Sequence, residues 1–407
     1  MMRKHDLAII GAGPAGMMAA VTASQNGKRV VLIERNPQIG RKLLSTGNGR
    51  CNLTNTHLCI DRYHGATPEF IETVISQFDH NATMEFFRDL GLIVKEDDEG
   101  RIFPRTNQAS SVVEVLKRRL CSNKVDVAPN AQVSAIERST VWKISLTDGG
   151  QFESDDLIIA TGGRAAHHLG STGDGLFWAR RLGHTLTPIY AALVPIETVE
   201  TWPGEIAGVK VEARVWATSD GRTIGENTGD LLFTSYGVSG LSVMALAGSI
   251  APVLRESPVA LHINLFPEMN QEQLYRTVLG ILENGGPTPV RDALVGLLPA
   301  NIIGVVLGLA GLDELQPAHG ISKQQRLGLV KTLRDMTLTV SKLRPLKEAQ
   351  VTAGGVSADE IDARTLQSRL VKGLYFAGEI IDVDGDSGGF NLQWAWSSGR
   401  VAGLLAR

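Results

Sequence analysis

Leu7-Ala8-Ile9-Ile10-Gly11-Ala12-Gly13-Pro14-Ala15-Gly16 is an apolar run that breaks into a glycine turn and leads into the alanine- and methionine-rich stretch from Met17 to Ser24. The run reads as a buried strand, and the stretch after it as a helix packed back upon that strand. The three glycines have separate steric tasks. Gly11 permits the tight turn, Gly13 lets the backbone approach a pyrophosphate, and Gly16 allows the helix to lie close on the strand. Pro14 and Ala15 belong to the start of the helix, whose free N–H groups and partial positive charge suit phosphate oxygens. A second apolar strand, Arg29 to Ile33, ends at Glu34, 18 residues beyond Gly16, where a carboxylate accepts hydrogen bonds from a ribose hydroxyl. The glycine spacing alone is a weak signal. Its setting between strand and helix, with an acid closing the next strand, distinguishes a dinucleotide cradle from an ordinary βαβ unit.

The 407 residues suffice for two or three domains, and 43% hydrophobic against 20% charged residues is a globular composition. A net charge of −3, with basic residues scattered in short groups, leaves no electrostatic stripe for nucleic acid, so none is expected as a partner. Cys51, Cys59 and Cys121 show neither a C-x-x-C pair nor metal-ligand spacing, so no disulfide framework and no metal are expected and the compartment reads as reducing. The first strand begins within a few residues of Met1, so no secretory leader is expected. The apolar segment Ile302 to Leu312 falls well short of the roughly 20 residues that span a bilayer. A cytoplasmic protein without a membrane span is therefore expected, its oligomeric state open.

After Glu34 comes Arg35, then a loop that runs from Gly40 to Asn55 with Arg41, Lys42, Gly47, Gly49, Arg50, Cys51 and Asn52. It has too little apolar content for a core element, and its basic side chains suit a pyrophosphate. Pro68 to Leu90 reads as two helices around Asp79 to Asn81, and Asn107 to Leu120 as another with Ser110 or Ser111 near its cap. Strands follow at Val125 to Ala128, Ala131 to Arg138 and Val141 to Thr147, then a buried strand from Asp156 into the turn Thr161-Gly162-Gly163. The periodicity changes between Pro188 and Arg344. Strand-like segments at Ala192 to Glu197, Gly208 to Thr218, Gly229 to Thr234 and Ala260 to Phe266 precede helical ones at Gln271 to Leu282, Thr288 to Leu298, Ile302 to Leu309 and Lys323 to Leu333. Thr337 to Leu343 reads as the first domain resuming, with a last strand from Gly373 to Glu379 and a helix from Trp394 to the end. That strand has no partner nearby, so it should join the sheet begun by Leu7 to Ile10.

Four stretches together resemble one bacterial family of NAD(P)/FAD-dependent oxidoreductases, which includes the flavoprotein of bile-acid 7-dehydroxylation and aminoacetone oxidase. They are Gly11 to Gly16 with Glu34, Gly40 to Asn55, Val351 to Val356 and Gly378 to Gly399, and the most specific are G-R-C-N-x-T-N at Gly49 to Asn55 and G-G-F-N-x-Q-W-A at Gly388 to Ala395. The resemblance implies an α/β fold, a Rossmann-like, glutathione-reductase-like FAD domain (1–187 and 343–407) interrupted by a β-barrel-like and helical insert (188–342; β-rich 188–266, helical 267–336), with the flavin where the two meet. It implies further that Gly11 to Gly16 hold the pyrophosphate, Glu34 the ribose, Arg41 and Lys42 the neighbouring phosphate and ribose, and Val133 the adenine through its backbone. Glu379, Asp386, Asn391 and Leu392 would follow the ribityl chain and flavin edge, with Gly378 and Gly389 also in the cofactor site and the positive end of the helix near Asn391 at the flavin N1–C2=O side. The family's L-L-F-T-H-x-G-x-S-G-P reads L-L-F-T-S-Y-G-V-S-G-L at Leu231 to Leu241, so its histidine is Ser235 here. Tyr236 is adjacent, and a buried tyrosine with a satisfied hydroxyl is the expectation.

No catalytic residue is assigned. Cys51 reads as packing and loop shape rather than chemistry, since no second cysteine is near, and His57, His64, His167 and His168 each read as structural. The function expected is hydride transfer between NAD(P)H and a small or hydrophobic organic substrate on FAD. The alternatives are an oxygen-using amine oxidase, an FAD protein acting on RNA, or a flavin-free binding module such as the prenyl-GTPase carriers. No segment after Gly163 carries a second nucleotide fingerprint, so NAD(P)H, as electron donor, would bind without a Rossmann half of its own, in the cleft between insert and flavin that the substrate must also use. Shared use implies ping-pong kinetics.

Overall fold

Lys4–Ile10 has parallel neighbours on both sides, Val30–Ile33 and Gln151–Ile159, in the computed structural model, which describes residues 4–406. Met1 to Arg3 and Arg407, the ends of the expected segments, lie outside the described residues. Asp126–Ala128 adds beyond Val30–Ile33, and Trp142–Leu146 and Val133–Arg138 continue antiparallel from the other side. Leu374–Phe376 then pairs parallel with Leu157 to Ile159, completing a seven-stranded sheet with a strand from the far end of the chain. Leu7, Ala8 and Ile9 are fully buried, which explains the unbroken apolar run: strands covered on both faces need no alternation.

The helix Pro14–Gln25 packs on this sheet beside the C-terminal helix Phe390–Leu405. Small residues set how closely they approach. A Cβ on Gly399 would stand 2.3 Å from the Ala15 carbonyl oxygen, and one on Gly403 would stand 2.5 Å from that of Ala19. Both spacings are four residues, so the helices run parallel, and the C-terminal one extends about 8 residues, or about 12 Å, beyond the start of the first. Between Pro68 and Leu90 the chain forms two helices, Pro68–Ile75 and His80–Asp89, the second capped by Asp79, which accepts from the Ala82 amide at 2.8 Å. The helix Ala109–Ser122 is entered from extended Gln108 rather than capped by Ser110 or Ser111, because the Ser111 hydroxyl is paired with that of Thr106.

The chain divides into two units, residues up to Tyr190 with Gln350 onward, and Ala191–Ala349. The second contains a closed six-stranded barrel in the order Ile196–Thr198, Gly237–Ser239, Arg222–Thr234, Lys210–Ser219, Ala260–Asn264 and Met336–Leu343. Ala213, Val215, Ala217, Leu231, Phe233, Leu261, Ile263 and Leu338 are fully buried in its core. Its helices include Gln271–Gly285, Ala300–Leu309 and Lys323–Arg334, the first and last begun by capping boxes, Asn270 with Gln273 and Ser322 with Gln325.

The structure corrects several expectations. Thr337 to Leu343 does not resume the first domain: Met336–Leu343 closes the barrel between Ile196–Thr198 and Ala260–Asn264, and its alternating burial is that of a strand with one face out. The unit boundaries accordingly fall at 190/191 and 349/350 rather than at 187/188 and 342/343. Arg344 ends that strand, donating to Glu197 at 2.6 Å and in bidentate fashion to Glu348. Ala192 to Glu197 is not one strand, because Leu193 takes a positive φ of 49°. Thr288 to Leu298 splits into the helix Val290–Ala293 and a 3-10 turn, and the helices Leu241–Met244 and Ala247–Val253 had no sequence signal strong enough to separate them from the strands around them.

Candidate functional site

The glycine turn is built as its spacing requires. Gly11 has φ of 102°, and a Cβ there would stand 2.5 Å from the Ala160 carbonyl oxygen; one on Gly16 would stand 1.8 Å from the Gly11 carbonyl oxygen. At Gly13 a Cβ meets nothing within 4 Å, so the space over the helix N-terminus is open. Gly13 is the N-cap, no side chain caps it, and Pro14 fills the first position, where its missing N–H costs nothing. Glu34 is buried beside this turn. It accepts from the Ala12 amide at 2.9 Å through one oxygen and from the amide and side chain of Asn36, both at 2.8 Å, through the other. Arg41 donates to the Asn36 side-chain oxygen at 3.2 Å, while Arg35 is drawn to Thr172 and to Asp174 at 2.9 Å. The Ala131 amide donates to the Glu34 carbonyl, and Val133 lies two residues further along, where its strand opens with a register shift.

A second anion-seeking helix end lies at the C-terminal helix. Gly389, with φ of 104°, is its N-cap, and again no side chain caps it. A Cβ on Gly389 would stand 2.6 Å from the Thr54 carbonyl oxygen and 2.9 Å from Asn52 Oδ1. That Asn52 oxygen is buried and has no hydrogen-bond partner among the described residues, an acceptor held at the helix tip without a donor. Asn391 clamps the approach to this tip, accepting from the Gly385 amide at 2.9 Å and donating back to its carbonyl at 2.5 Å. Leu392 is buried in the same turn. Between the two helix ends sits Gly378-Glu379: the Gly378 amide donates to Ser398 Oγ, and Glu379 pairs with Lys42 at 2.6 Å while accepting from the Thr352 amide at 2.8 Å.

Other candidate residues are placed elsewhere. Arg50 lies over the Phe103 ring at 4.3 Å and faces Asp97, so its charge is already engaged. Thr161 passes beneath Gly11, its hydroxyl turned against Gly175, and Gly162 takes φ of 71° with Glu379 nearby. Asp386 is held by Arg62 at 3.1 Å and His64 at 2.9 Å. The four histidines singled out, His57, His64, His167 and His168, are all exposed, and among the described residues only His64 of the four meets a carboxylate. Tyr236 is half-buried under the Arg344 guanidinium, 4.6 Å from its ring centre, and among the described residues none hydrogen-bonds its hydroxyl, contrary to expectation. Sequence reasoning missed Asn55, whose side chain donates to the Gly388 carbonyl, and Thr352, whose hydroxyl accepts from the Arg164 and Ala165 amides. Both lie in motif stretches, so proximity to the glycines was the available signal.

Cys51 is fully buried at φ of 63° in the turn after Gly49, which itself has φ of 81°. Burial pushes its thiol up to about 12, only partly offset by Thr46. In the native protein at mild alkaline pH, iodoacetamide should therefore label exposed Cys59 and Cys121 and spare Cys51; mass spectrometry showing equal labelling would contradict the inert reading. The unpartnered Asn52 oxygen gives a second test. Asn52→Leu should leave the cofactor-free protein as stable or stabilise it by about 1 kcal/mol, while weakening cofactor retention about 10-fold, because the acceptor is costly until a donor arrives. A fall in both thermal stability and retention would assign Asn52 to the fold alone.

Two uncapped helix N-termini about 12 Å apart along one direction, an acid at the first turn, and a Lys–Glu pair between them fit a dinucleotide with a phosphate at one end and a flavin at the other. Among the described residues, no three His, Cys, Asp or Glu side chains are grouped to hold a metal ion, and no helix is long and apolar enough to cross a membrane. The model of the HI0933-like protein Rossmann domain matches residues 5–405. A 3-dehydro-bile acid delta(4,6)-reductase of Clostridium scindens is 37% identical over 99% of both chains. A ribosomal RNA dihydrouridine synthase of Escherichia coli is 31% identical over 98% of this chain and 96% of its own. The 3-ketosteroid delta1-dehydrogenase structure from Sterolibacterium denitrificans shares the fold at a TM-score of 0.51 and 12% identity, covering 98% of each chain. With the glycine turn, the strand-terminal acid and the uncapped C-terminal helix all in place along a chain matched almost end to end, this protein belongs to the HI0933-like family and is an FAD-dependent oxidoreductase.

Proposed function

We propose that the protein reduces a carbon–carbon double bond conjugated to a carbonyl in a hydrophobic organic substrate, with NAD(P)H as electron donor. The observation that supports this most is the 37% identity, over 99% of both chains, to a delta(4,6)-reductase of 3-dehydro bile acids. The dihydrouridine synthase relatives point the same way chemically, since forming dihydrouridine also saturates a bond conjugated to a carbonyl. When bound, FAD supplies the hydride carrier. The chain's own part is to hold and orient it: Gly11 to Gly16 and Glu34 at the diphosphate and ribose, Lys42 and Glu379 along the ribityl chain, and the Gly389 helix end with Asn52 at the ring edge. An uncapped helix N-terminus favours negative charge at the flavin and thereby its reduced state.

A second reading, action on RNA, is favoured by the 31% identical synthase. The net charge of −3 weighs against it, because phosphate neutralisation by Lys and Arg dominates nucleic-acid affinity. The test is anaerobic rapid mixing with NADH and with NADPH, followed by re-oxidation with steroid enones, cyclic enones, uridine-containing RNA, quinones and oxygen. Bleaching by a nicotinamide and rapid re-oxidation by enones supports the proposal, with ping-pong steady-state kinetics expected because each half-reaction runs alone. Re-oxidation by RNA in preference to enones supports the second reading, and bleaching by an amine but by neither nicotinamide replaces both with an oxidase.

A further inference from the structure

Val383–Gly385 and Tyr63–Gly65 form a two-stranded antiparallel ribbon in which Asp384 stands opposite His64. Successive odd and even positions of a strand face opposite ways, so Asp382, Asp384 and Asp386 share one face with His64. The three carboxylates differ in how they are held. Asp386 is bound by Arg62 and by His64 Nε2, and Asp382 is met by the Gly354 amide and Thr187. Asp384 is 5% exposed; its backbone pairs with His64 in the ribbon, and its carboxylate makes no hydrogen bond with any described residue. A buried carboxyl with no donor is costly, and here its place in the fold is specific: the next residue, Gly385, is clamped in both directions by Asn391 in the first turn of the C-terminal helix. The His64 side chain is 51% exposed, so the ribbon links solvent to a buried acid beside the helix end assigned above to the flavin.

We propose that Asp384 is the proton-loading group of the flavin site, filled from solvent through His64 each time the flavin is reduced. This rests on the flavin placement above and on no particular substrate. When bound, FAD would supply two-electron chemistry that takes up one proton and so adds one negative charge beside Asp384. That charge draws a second proton onto the Asp384 carboxylate from the His64 imidazolium, which is refilled from water. Electroneutrality of the site is thereby kept, and the stored proton is at hand for a later protonation step. The titration states suit the task. Burial, opposed by His64 and reinforced by the charges of Asp382, Glu379 and Asp386, raises the Asp384 carboxyl to about 6, so it is mostly ionised at neutral pH and ready to accept. The Asp386 hydrogen bond raises His64, against the effect of burial, so it carries a proton more readily than a free imidazole. Glu379 is neutralised by Lys42 and Asp386 by Arg62; Asp382 has no cation but is met by the Thr187 hydroxyl and the Gly354 amide, which leaves Asp384 as the carboxylate of this face with neither a cation nor a hydrogen-bond donor among the described residues.

The slope of the flavin midpoint potential against pH counts protons per electron pair, about 30 mV per pH unit for one and about 59 mV for two. Spectroelectrochemical titration of the FAD-loaded wild type should give the two-proton slope above about pH 6 and the one-proton slope below it, where Asp384 is already protonated. Asp384→Asn should give the one-proton slope throughout, with unchanged flavin absorbance and retention. His64→Gln should move the break to higher pH, because the imidazolium no longer holds the Asp384 carboxyl down. A one-proton slope in the wild type at every pH, or a two-proton slope that persists in Asp384→Asn, overturns the proposal, as does a slope that steepens as pH falls, which marks protonation of the flavin itself. Because the measurement uses neither NAD(P)H nor an enone, failure of the reductase reading shows separately in the rapid-mixing experiment. Failure of the flavin placement shows in Asn52→Leu.

Discussion

Gly16→Ala should abolish FAD binding by breaking the nucleotide turn itself, with the thermal midpoint of the cofactor-free protein falling by about 10 °C. The added Cβ would lie 1.8 Å from the Gly11 carbonyl oxygen and 3.4 Å from the Ala160 Cβ. The first of these is backbone of the turn, fixed by the Gly11 amide donating to the Ile33 carbonyl at 2.8 Å, so no flexible side chain can yield. Overpacking a rigid site costs about 1–3 kcal/mol and more when backbone must move. At about 2–4 °C per kcal/mol for a unit of this size, the expected fall follows. Gly13→Ala is the matched control, because its Cβ meets nothing within 4 Å and alanine suits its φ of −77°. It should leave the cofactor-free midpoint within about 1 °C and still lose FAD by more than about 30-fold, since the methyl occupies the space a diphosphate needs. Differential scanning calorimetry of apoproteins with flavin titration separates the two. Equal stability losses in both variants would show that the glycines serve packing only.

The contrast between these glycines marks how far the sequence could be read. Gly11, Gly13 and Gly16 carry a motif because three steric demands recur at fixed spacing, and the strands on either side are buried on both faces, so their apolar runs are unmistakable. Arg50 and Thr161 were legible as loop positions and not as side-chain directions. Arg50 swings to Phe103 and Asp97, and the Thr161 hydroxyl turns to Gly175, because direction depends on neighbours remote in the chain. Thr337 to Leu343 reads from sequence as part of the first domain for a related reason. Its alternation of buried and exposed residues identifies a strand, yet which sheet receives a strand is decided by partners in space, here Ile196–Thr198 and Ala260–Asn264. Asp384 shows the other limit. An acid in an acid-rich glycine loop reads as solvated, and only the pairing of two short strands reveals that it is buried opposite His64.

Glu34 carries the second large effect, through two duties that one substitution removes together. Its carboxylate already serves three protein donors, the Ala12 amide and both nitrogens of Asn36, and its remaining lone pair, on Oε2, is what a ribose hydroxyl would use. In Glu34→Ala the buried Ala12 amide is left without an acceptor, costing about 1–3 kcal/mol in the turn, and the ribose loses a charged acceptor worth about 1.5–3 kcal/mol. FAD should then bind about 100-fold or more weakly, with flavin lost on dialysis and a lowered cofactor-free midpoint. Glu34→Gln discriminates between charge and shape. One end of its amide must present N–H donors, either to Ala12 or to the two Asn36 donors, so a donor faces a donor whichever way the group is turned. The glutamine variant should therefore lose FAD nearly as completely as the alanine one, although it fills the same volume. If glutamine retains flavin as the wild type does, the acceptor-only chemistry of the carboxylate is not what the site requires, and the ribose must be held by other groups near the turn, with Arg41 and Asn36 the first to examine.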